Sequence, residues 1–208
     1  MDISLFSQAM LVGLSIAAPV GPIGLLTIQR TLDQGQAAGL ATGLGAAAAD
    51  ACYGALGAFG VTLVIDWLVG ARVPLALVGG AVLAWLAWRT WQAPVAERAA
   101  SAPGAGSLLG SFAGTFLLTL SNPATILSFL AIFGALAGSS AQPASPGWMI
   151  LGVGCGSALW WWLLTAVVGR LRQRFDVRWR RRVNQASALL LLGFALWQWV
   201  SLARWTLG

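Results

Sequence analysis

Long apolar runs separated by short gaps make up most of the chain. Six of these runs reach the ~20 residues that a helix needs to cross a bilayer, and they cover residues 5–28, 37–64, 73–92, 108–137, 147–169 and 184–206. Nearly all the charged residues lie in the gaps between the runs. The pattern predicts an all-α integral membrane protein with six transmembrane helices.

The first run contains residues that interrupt a helix. Pro19, Gly21 and Pro22 lie in the middle of it, where each proline removes a backbone donor and glycine weakens the helical ladder. Within a membrane, freed backbone groups are tolerated only where protein or a water-filled cavity satisfies them. We therefore expect a discontinuous first helix whose break borders a cavity.

Asp50 is the one acidic residue well inside an apolar run, where it costs roughly 2.5–3.5 kcal/mol on insertion scales. It shares a helical face with small residues and one tyrosine at spacings of three or four: Gly39, Gly43, Ala46, Tyr53, Gly54 and Gly57. Small residues allow close helix packing. The face is therefore predicted to point inward, with Asp50 at the cavity and Tyr53 within reach of its carboxylate or of a ligand. Two interpretations stay open: Asp50 binds a ligand or a proton, or it is a neutral carboxyl group that stabilises the bundle.

A second break interrupts the fourth run at Asn122-Pro123, preceded by Ser121. The residue before a proline is disfavoured in a helix, so the Asn122 amide can cap a helix or bind a ligand. Helices that restart after Pro22 and Pro123 would present N–H groups and a positive dipole end to a carboxylate, while Asp50 would meet an ammonium. The arrangement suits a zwitterion. The alternative for this second break is a structural kink satisfied by Ser121.

The two breaks also mark an internal repeat. In each, a glycine precedes the proline by nine residues, Gly13 before Pro22 and Gly114 before Pro123. Three runs in each half make the second half enter the membrane in the opposite sense, which gives an inverted 3+3 repeat with discontinuous first and fourth helices. We expect the halves to rock around a central site in alternating access. The predicted division is a first three-helix repeat, a cytoplasmic linker and an inverted second repeat, at 1–92, 93–107 and 108–208.

Composition supports the membrane interpretation. Apolar residues make up 58% of the 208 residues and charged residues only 9%, against about 25% in soluble domains. The net charge of +6 could indicate a nucleic-acid partner, but seven of the twelve arginines lie between Arg170 and Arg182. Clustering in one gap is typical of membrane topology. The Arg170–Arg182 loop is therefore placed in the cytoplasm and both termini on the periplasmic side, and no nucleic-acid partner is expected.

Other candidate chemistry is sparse. The chain has no His, and neither a metal, a cofactor nor an enzymatic activity is expected. Cys52 and Cys155 lie alone in apolar runs without a CxxC spacing, and we interpret them as small core residues. Two further hypotheses stay open. The first is a divalent-metal exporter, for which Asp50 and Asn122 would be the few oxygen ligands. The second is a membrane thiol carrier, which would pass electrons through Cys52 and Cys155, although neither cysteine is beside a charge that would activate its thiol.

Several motifs together resemble the LysE/RhtB-type amino-acid exporter family over essentially the whole chain. They are Ala18-Pro19-Val20-Gly21-Pro22, Gln34-Gly35, Gly43-Leu44-Gly45, Asp50-Ala51-Cys52-Tyr53-Gly54 and Asn122-Pro123. The resemblance implies a secondary transporter of the bacterial inner membrane that exports amino acids, driven by the proton gradient. It places the functional centre at the Pro19–Pro22 break, Asp50 and Asn122-Pro123. Many relatives have a compact Pro-Gly-Pro at this break, whereas in this chain Val20 lies between Pro19 and Gly21.

The expected substrate is an amino acid, and small or neutral ones are slightly favoured over cationic ones. A cationic side chain would need a second buried carboxylate, and Asp50 alone is well inside a run. Asp50 could instead carry the coupling proton. Membrane lipid is the other expected partner, and a homodimer stays open. The triplet Trp160–Trp162 lies too deep for an aromatic belt and is interpreted as a lipid or subunit contact.

Overall fold

The computed structural model describes residues 3–19, 21–59, 70–92, 104–122, 125–126, 128–129, 146–171 and 177–207. Seven helices are bounded within these ranges, which contain no strand, in agreement with the all-α prediction. In chain order they are α1 (Ile3–Ala17), α2 (Pro22–Gln34), α3 (Gln36–Ala58), α4 (Arg72–Gln92), α5 (Ala105–Leu120), α6 (Pro146–Leu171) and α7 (Val177–Leu207).

The first apolar run is broken where its prolines and glycines predict. α1 ends at Ala17, and α2 begins at Pro22 with Gly21 in extended backbone as its N-cap (φ −107°, ψ −166°). Pro22 occupies the first helical position, where its missing N–H removes no intrahelical hydrogen bond. The axes of α1 and α2 differ in direction by 79°. The run is therefore two helices that meet at a sharp bend.

α3 follows α2 after a turn at Gly35, whose φ of 102° is a conformation that glycine adopts without steric cost. Six of the seven residues on the predicted small face are buried, and Gly57 is half-buried. The buried ones are Gly39, Gly43, Ala46, Asp50, Tyr53 and Gly54. The prediction that this face points inward is confirmed.

Three described helices are long and apolar enough to cross a membrane: Val73–Gln92 in α4, all of α6, and Arg181–Arg204 in α7. The bent α1–α2 pair makes a fourth if it counts as one span. α3, predicted as the second span, has 23 residues but is not among them, because Gly and Ala are weakly apolar and Asp50 lowers the average further. The chain is a multi-pass membrane protein that is all-helical in the part that the structure describes.

The second break also lies at its predicted position. α5 ends at Leu120, and the Asn122 amide closes its last turn by donating to the Thr119 carbonyl at 3.2 Å. The Ile126 amide then donates to the Asn122 carbonyl at 3.1 Å, so a new helical turn starts within four residues. Pro123 itself lies outside the described residues.

Two predicted boundaries differ from the helix bounds in the structure. α5 begins at Ala105, inside the predicted linker 93–107, of which residues 93–103 lie outside the described ranges. The stretch Arg170–Arg182 is not a loop throughout, because α6 continues to Leu171 and α7 begins at Val177. Arginine has a high helix propensity, and a helix end beyond the apolar run needs no apolar face. The charged residues that suggested a gap are therefore partly helical.

The helices of the two predicted repeats are interleaved. The most extensive contacts join α1 with α6, α3 with α5 and α6, and α4 with α7, and each of these pairs draws on both predicted repeats. α2 touches α3, α6 and α7. Glycine brings α1 and α6 close together, since a Cβ on Gly13 would overlap the Val153 backbone and one on Gly156 the Met10 backbone.

Candidate functional site

A cavity of about 310 Å³ lies where the break between α1 and α2 meets the other five helices. The break contributes Ile16, Ala17, Pro19, Gly21, Pro22, Ile23 and Gly24. The remaining described wall consists of Ala46, Asp50, Leu83, Thr119, Asn122, Thr125, Ser128, Trp161, Phe194, Trp197 and Gln198. We call this space the central cavity. Its volume is at the small end of the ~300–1,000 Å³ that small-molecule sites usually have.

Asp50 lies in the cavity wall, 3% exposed, and is held by a hydrogen-bond relay from α6. The Ser157 hydroxyl donates to Oδ2 of Asp50 at 2.7 Å. Nε1 of Trp161, one turn further along α6, donates to the Ser157 hydroxyl at 3.1 Å. The relay fixes one carboxyl oxygen. Because a carboxylate has about four acceptor positions, Asp50 keeps capacity to accept hydrogen bonds from a ligand in the cavity.

Trp161 is brought to the cavity by a glycine on α3. A Cβ on Gly43 would overlap the Trp161 side chain, so only glycine lets the two helices approach this closely. Trp161 is 4% exposed, whereas its neighbour Trp162 is 51% exposed. The interpretation of the Trp160–Trp162 triplet as an outward contact is therefore wrong for Trp161, which lines the cavity.

The N-terminus of α2 forms another part of the wall. The first amides of a helix have no intrahelical partner, and the first such bond in α2 runs from the Leu25 amide to the Gly21 carbonyl at 3.1 Å. Pro22 has no N–H, so the available donors are the amides of Ile23 and Gly24, and both residues line the cavity. With the positive end of the helix dipole, these amides suit an anionic group.

The end of α5 adds polar side chains to the same space. Thr119 is 3% exposed, and its hydroxyl has no hydrogen-bond partner among the described atoms. Asn122 lies one turn further on, beyond the end of α5. From α7, Gln198 reaches the cavity and donates through Nε2 to the Ala76 carbonyl at 3.0 Å. Polar atoms of the cavity wall thus come from the end of α5 and from α7, in addition to Asp50 on α3.

Five of the eight predicted site residues line the central cavity: Pro19, Gly21, Pro22, Asp50 and Asn122. The structure places Tyr53 and Ser121 elsewhere, and Pro123 lies outside the described residues.

Tyr53 does not contact Asp50 by a hydrogen bond but donates through its hydroxyl to the Leu120 carbonyl at 2.7 Å. Its ring stacks on Phe129 with a centroid distance of 5.1 Å. Ser121 donates to the Leu118 carbonyl at 3.2 Å. Both side chains therefore support the second break instead of facing the cavity.

Comparison with known proteins identifies the family of the chain. The family described as LysE type translocator matches residues 14–200. The chain belongs to this family. Its members are transporters, so the resemblance seen in the sequence is confirmed at the level of the family. No solved structure matches the chain.

Three relatives of this LysE type translocator are similar over different lengths. The Pseudomonas aeruginosa protein named "Chemotactic transduction protein ChpE" is 28% identical over 93% of the chain and 96% of that protein. The Bacillus subtilis protein named "Putative amino acid efflux protein YcgF" is 26% identical over 93% of the chain and 94% of its own length. "Uncharacterized membrane protein YahN" of Escherichia coli is 36% identical over 52% of the chain and 49% of its own length.

Sequence reasoning missed three residues of this translocator's cavity region: Ser157, Trp161 and Thr119. The available signal for the first two was their spacing of four on an apolar run that also carries Gly152 and Gly156, which marks a face that packs against other helices. For Thr119 there was no such signal, because a threonine near a helix end usually bonds to its own backbone.

The two cysteines are not core residues. Cys52 and Cys155 are both exposed, and neither lines the central cavity. The faces of α3 and α6 that carry Gly43 and Trp161 are the ones that pack inward, so the cysteines lie on other faces of these helices. Across the described ranges, no group of three or more His, Cys, Asp or Glu is placed to hold a metal ion.

Proposed function

We propose that this translocator is a secondary transporter that exports amino acids across the bacterial inner membrane, coupled to protons and selective for small or neutral substrates. The observation that carries the proposal is the buried carboxyl group of Asp50 in a cavity that also borders the N-terminus of α2. The cavity therefore has a carboxyl group that attracts a cation and a helix N-terminus that attracts an anion. An amino acid complements them, with its ammonium at Asp50 and its carboxylate at the amides of Ile23 and Gly24.

Coupling follows from the presence of one carboxyl group. Asp50 is the only acid among the described cavity residues, and a carboxylate that has taken up a proton no longer attracts an ammonium. Binding of a proton from the periplasm therefore favours release of the substrate there, and loss of that proton to the cytoplasm restores the site. This competition makes the transporter an exchanger of protons for amino acids.

The proposal includes alternating access in an inverted 3+3 repeat. It is supported by a helix break at the first helix of each predicted half, after Ala17 and after Leu120, because discontinuous helices surround the site in such transporters. The positive-inside rule places the arginine-rich ends of α6 and α7 in the cytoplasm and both termini in the periplasm. The name of the Bacillus subtilis relative, "Putative amino acid efflux protein YcgF", supports amino acids as the cargo.

Efflux from proteoliposomes tests this function. The vesicles are loaded with all twenty amino acids, an inward proton gradient is imposed, and the released species are measured by mass spectrometry. We expect the wild type to release a small set of neutral amino acids. Asp50→Asn keeps the shape of the side chain and removes its charge. The variant is expected to insert normally and to release amino acids no faster than loaded vesicles that contain no protein.

Asp33→Asn is the matched control. Asp33 lies on α2 outside the cavity and accepts a hydrogen bond from Nδ2 of Asn184 at 3.4 Å. The side-chain amide oxygen of the variant can accept the same hydrogen bond. Equal release by wild type and Asp50→Asn would remove Asp50 from the mechanism. Release of no amino acid by a folded wild-type protein would contradict the proposed cargo, and the same vesicles loaded with divalent metal ions would then test the metal-exporter hypothesis.

A further inference from the structure

One hydroxyl group in the central cavity is buried without a hydrogen-bond partner. Thr119 is 3% exposed, and its Oγ1 has no partner among the described atoms. Four other helical threonines donate to the carbonyl one turn back in the same helix: Thr31, Thr42, Thr115 and Thr165. An unpaired buried hydroxyl costs about 1–3 kcal/mol. A group that lines a cavity and carries this cost is suited to a ligand that fills the cavity.

The position of Thr119 indicates which part of a ligand it would meet. The last turn of α5 lies beside the first turn of α2, because Leu118 and Asn122 share a small neighbouring pocket with Pro22 and Ile23. The Thr119 hydroxyl and the first amides of α2 are all hydrogen-bond donors. Hydrogen-bond donors that line the same cavity favour an anionic oxygen, which in an amino acid is the carboxylate.

The rest of the cavity favours an apolar side chain. Leu83 on α4, Trp161 on α6 and Phe194 on α7 line it with carbon-rich surfaces. No described lining residue other than Asp50 is charged. A substrate with a cationic side chain would have to share Asp50 with its own ammonium, and one with an anionic side chain would find no lining cation there.

We propose that Thr119 is a substrate-binding residue whose hydroxyl, together with the first amides of α2, binds the carboxylate of a neutral amino acid whose apolar side chain packs against Leu83, Trp161 and Phe194. The inference rests on the proposed function and specifies its substrate class. It adds Thr119 to the site and assigns the carboxylate and the ammonium of the substrate to different groups of the cavity wall.

Counterflow of radiolabelled leucine in proteoliposomes tests the recognition of the substrate. We expect excess unlabelled leucine to compete fully with the label, and 3-methylbutylamine, which is leucine without its carboxylate, to compete at least tenfold less well. Lysine and glutamate are expected to compete as poorly as the amine. Equal competition by 3-methylbutylamine and leucine would overturn the assignment of the carboxylate without any variant being needed.

Thr119→Val tests the residue itself. Removing a hydrogen bond to a charged group is expected to raise the half-saturation concentration for leucine about ten- to hundredfold. Thr119→Ser, which keeps the hydroxyl, is expected to stay within about threefold of the wild type. The matched control is Thr27→Val, since Thr27 is also buried with an unpartnered hydroxyl but does not line the cavity, and its half-saturation concentration is expected to remain unchanged.

The outcomes separate this inference from the proposed function. If Thr119→Val has the wild-type half-saturation concentration, or if Thr27→Val shifts it equally, Thr119 does not bind the substrate. Should Thr119→Val not insert, Thr119→Ala removes the same hydroxyl and is read in the same way. Export of small polar amino acids alone would leave the proposed function standing and refute the apolar substrate class, whereas export of no amino acid would refute both.

Discussion

The hydroxyl of Ser157 donates to the carboxyl group of Asp50 at 2.7 Å, across 107 positions of the sequence. The contact joins α3 to α6 inside the bundle, and both residues are buried. It gives the one acidic residue of the central cavity a fixed orientation. Because Ser157 in turn accepts from Nε1 of Trp161 at 3.1 Å, the loss of one hydroxyl leaves two buried polar groups without a partner.

Ser157→Ala is therefore expected to lower the rate of amino-acid efflux tenfold or more, while the protein still inserts. Each unpaired buried group costs about 1–3 kcal/mol, and Asp50 is free to turn away from the cavity. The measurement is initial efflux from proteoliposomes. Thr165→Val is the control on the same helix, since the Thr165 hydroxyl is equally buried but bonds only to the backbone carbonyls of Trp161 and Trp162. Similar losses in both variants would show that the Asp50 contact has no special importance.

Tyr53→Phe separates a structural role from a substrate-binding role. The variant keeps the stacking on Phe129 and loses the hydrogen bond to the Leu120 carbonyl, so we expect the free energy of unfolding to fall by about 0.5–1.5 kcal/mol. The half-saturation concentration for the substrate is expected to stay the same. Thermal unfolding in detergent and counterflow measure the two effects. A shift in substrate affinity with unchanged stability would instead place the Tyr53 hydroxyl at the site.

The two glycines that precede the breaks are expected to respond differently to alanine. A Cβ on Gly13 would overlap the Val153 backbone, whereas a Cβ on Gly114 would have nothing within 4 Å. We expect Gly13→Ala to destabilise the protein by about 1–3 kcal/mol through overpacking, and Gly114→Ala to be neutral or stabilising by up to about 1 kcal/mol, because alanine has the higher helix propensity. Thermal unfolding of both variants in detergent checks this. Equal destabilisation would mean that α5 packs more closely than described.

Arg30 connects α2 to two other helices. Its Nη1 lies 2.9 Å from Oγ1 of Thr42 on α3, 3.3 Å from the Ser111 carbonyl oxygen and 3.4 Å from Oγ1 of Thr115 on α5. Hydrogen bonds to charged groups contribute about 1.5–3 kcal/mol, so Arg30→Met is expected to lower the free energy of unfolding by that order.

Arg89→Met is the control for Arg30→Met. Arg89 is exposed and lies over the Trp85 ring at 5.1 Å, and an exposed cation–π contact contributes only about 0.5–1 kcal/mol. Both variants are compared by thermal unfolding in detergent. A loss at Arg89 as large as the loss at Arg30 would contradict a specific role for the α2–α3–α5 contact.

The two helix breaks and the cavity beside them were predictable because their causes are local. Proline and glycine change the backbone at their own positions, and a single acid in an apolar run carries a cost that any fold has to offset. The inward face of α3 was also predictable, since small residues recur at helical spacing. These features need no knowledge of which helices are neighbours.

The side chains that complete the cavity were not predictable, because their roles depend on contacts between distant helices. A serine or threonine in a helix usually bonds to its own backbone, as Thr31 and Thr42 do. Nothing in the local sequence shows that Ser157 bonds to Asp50 instead, or that Thr119 has no partner. The predicted start of α7 is wrong for a different reason. Charged residues mark the end of the apolar part of a helix, and the helix itself continues beyond them to Val177.

The interleaved packing bears on how such a protein moves. α1, α3, α5 and α6 form one continuous contact network, whereas α4 and α7 pack mainly on each other. The cavity lies between these groups, with Asp50 on one side and Phe194 on the other. A swing of the α4–α7 pair leaves the glycine contact of α1 with α6 intact, whereas separation of the two sequence halves breaks it. Each of these two packed groups therefore contains helices from both halves of the polypeptide, and neither half expressed alone contains a complete group.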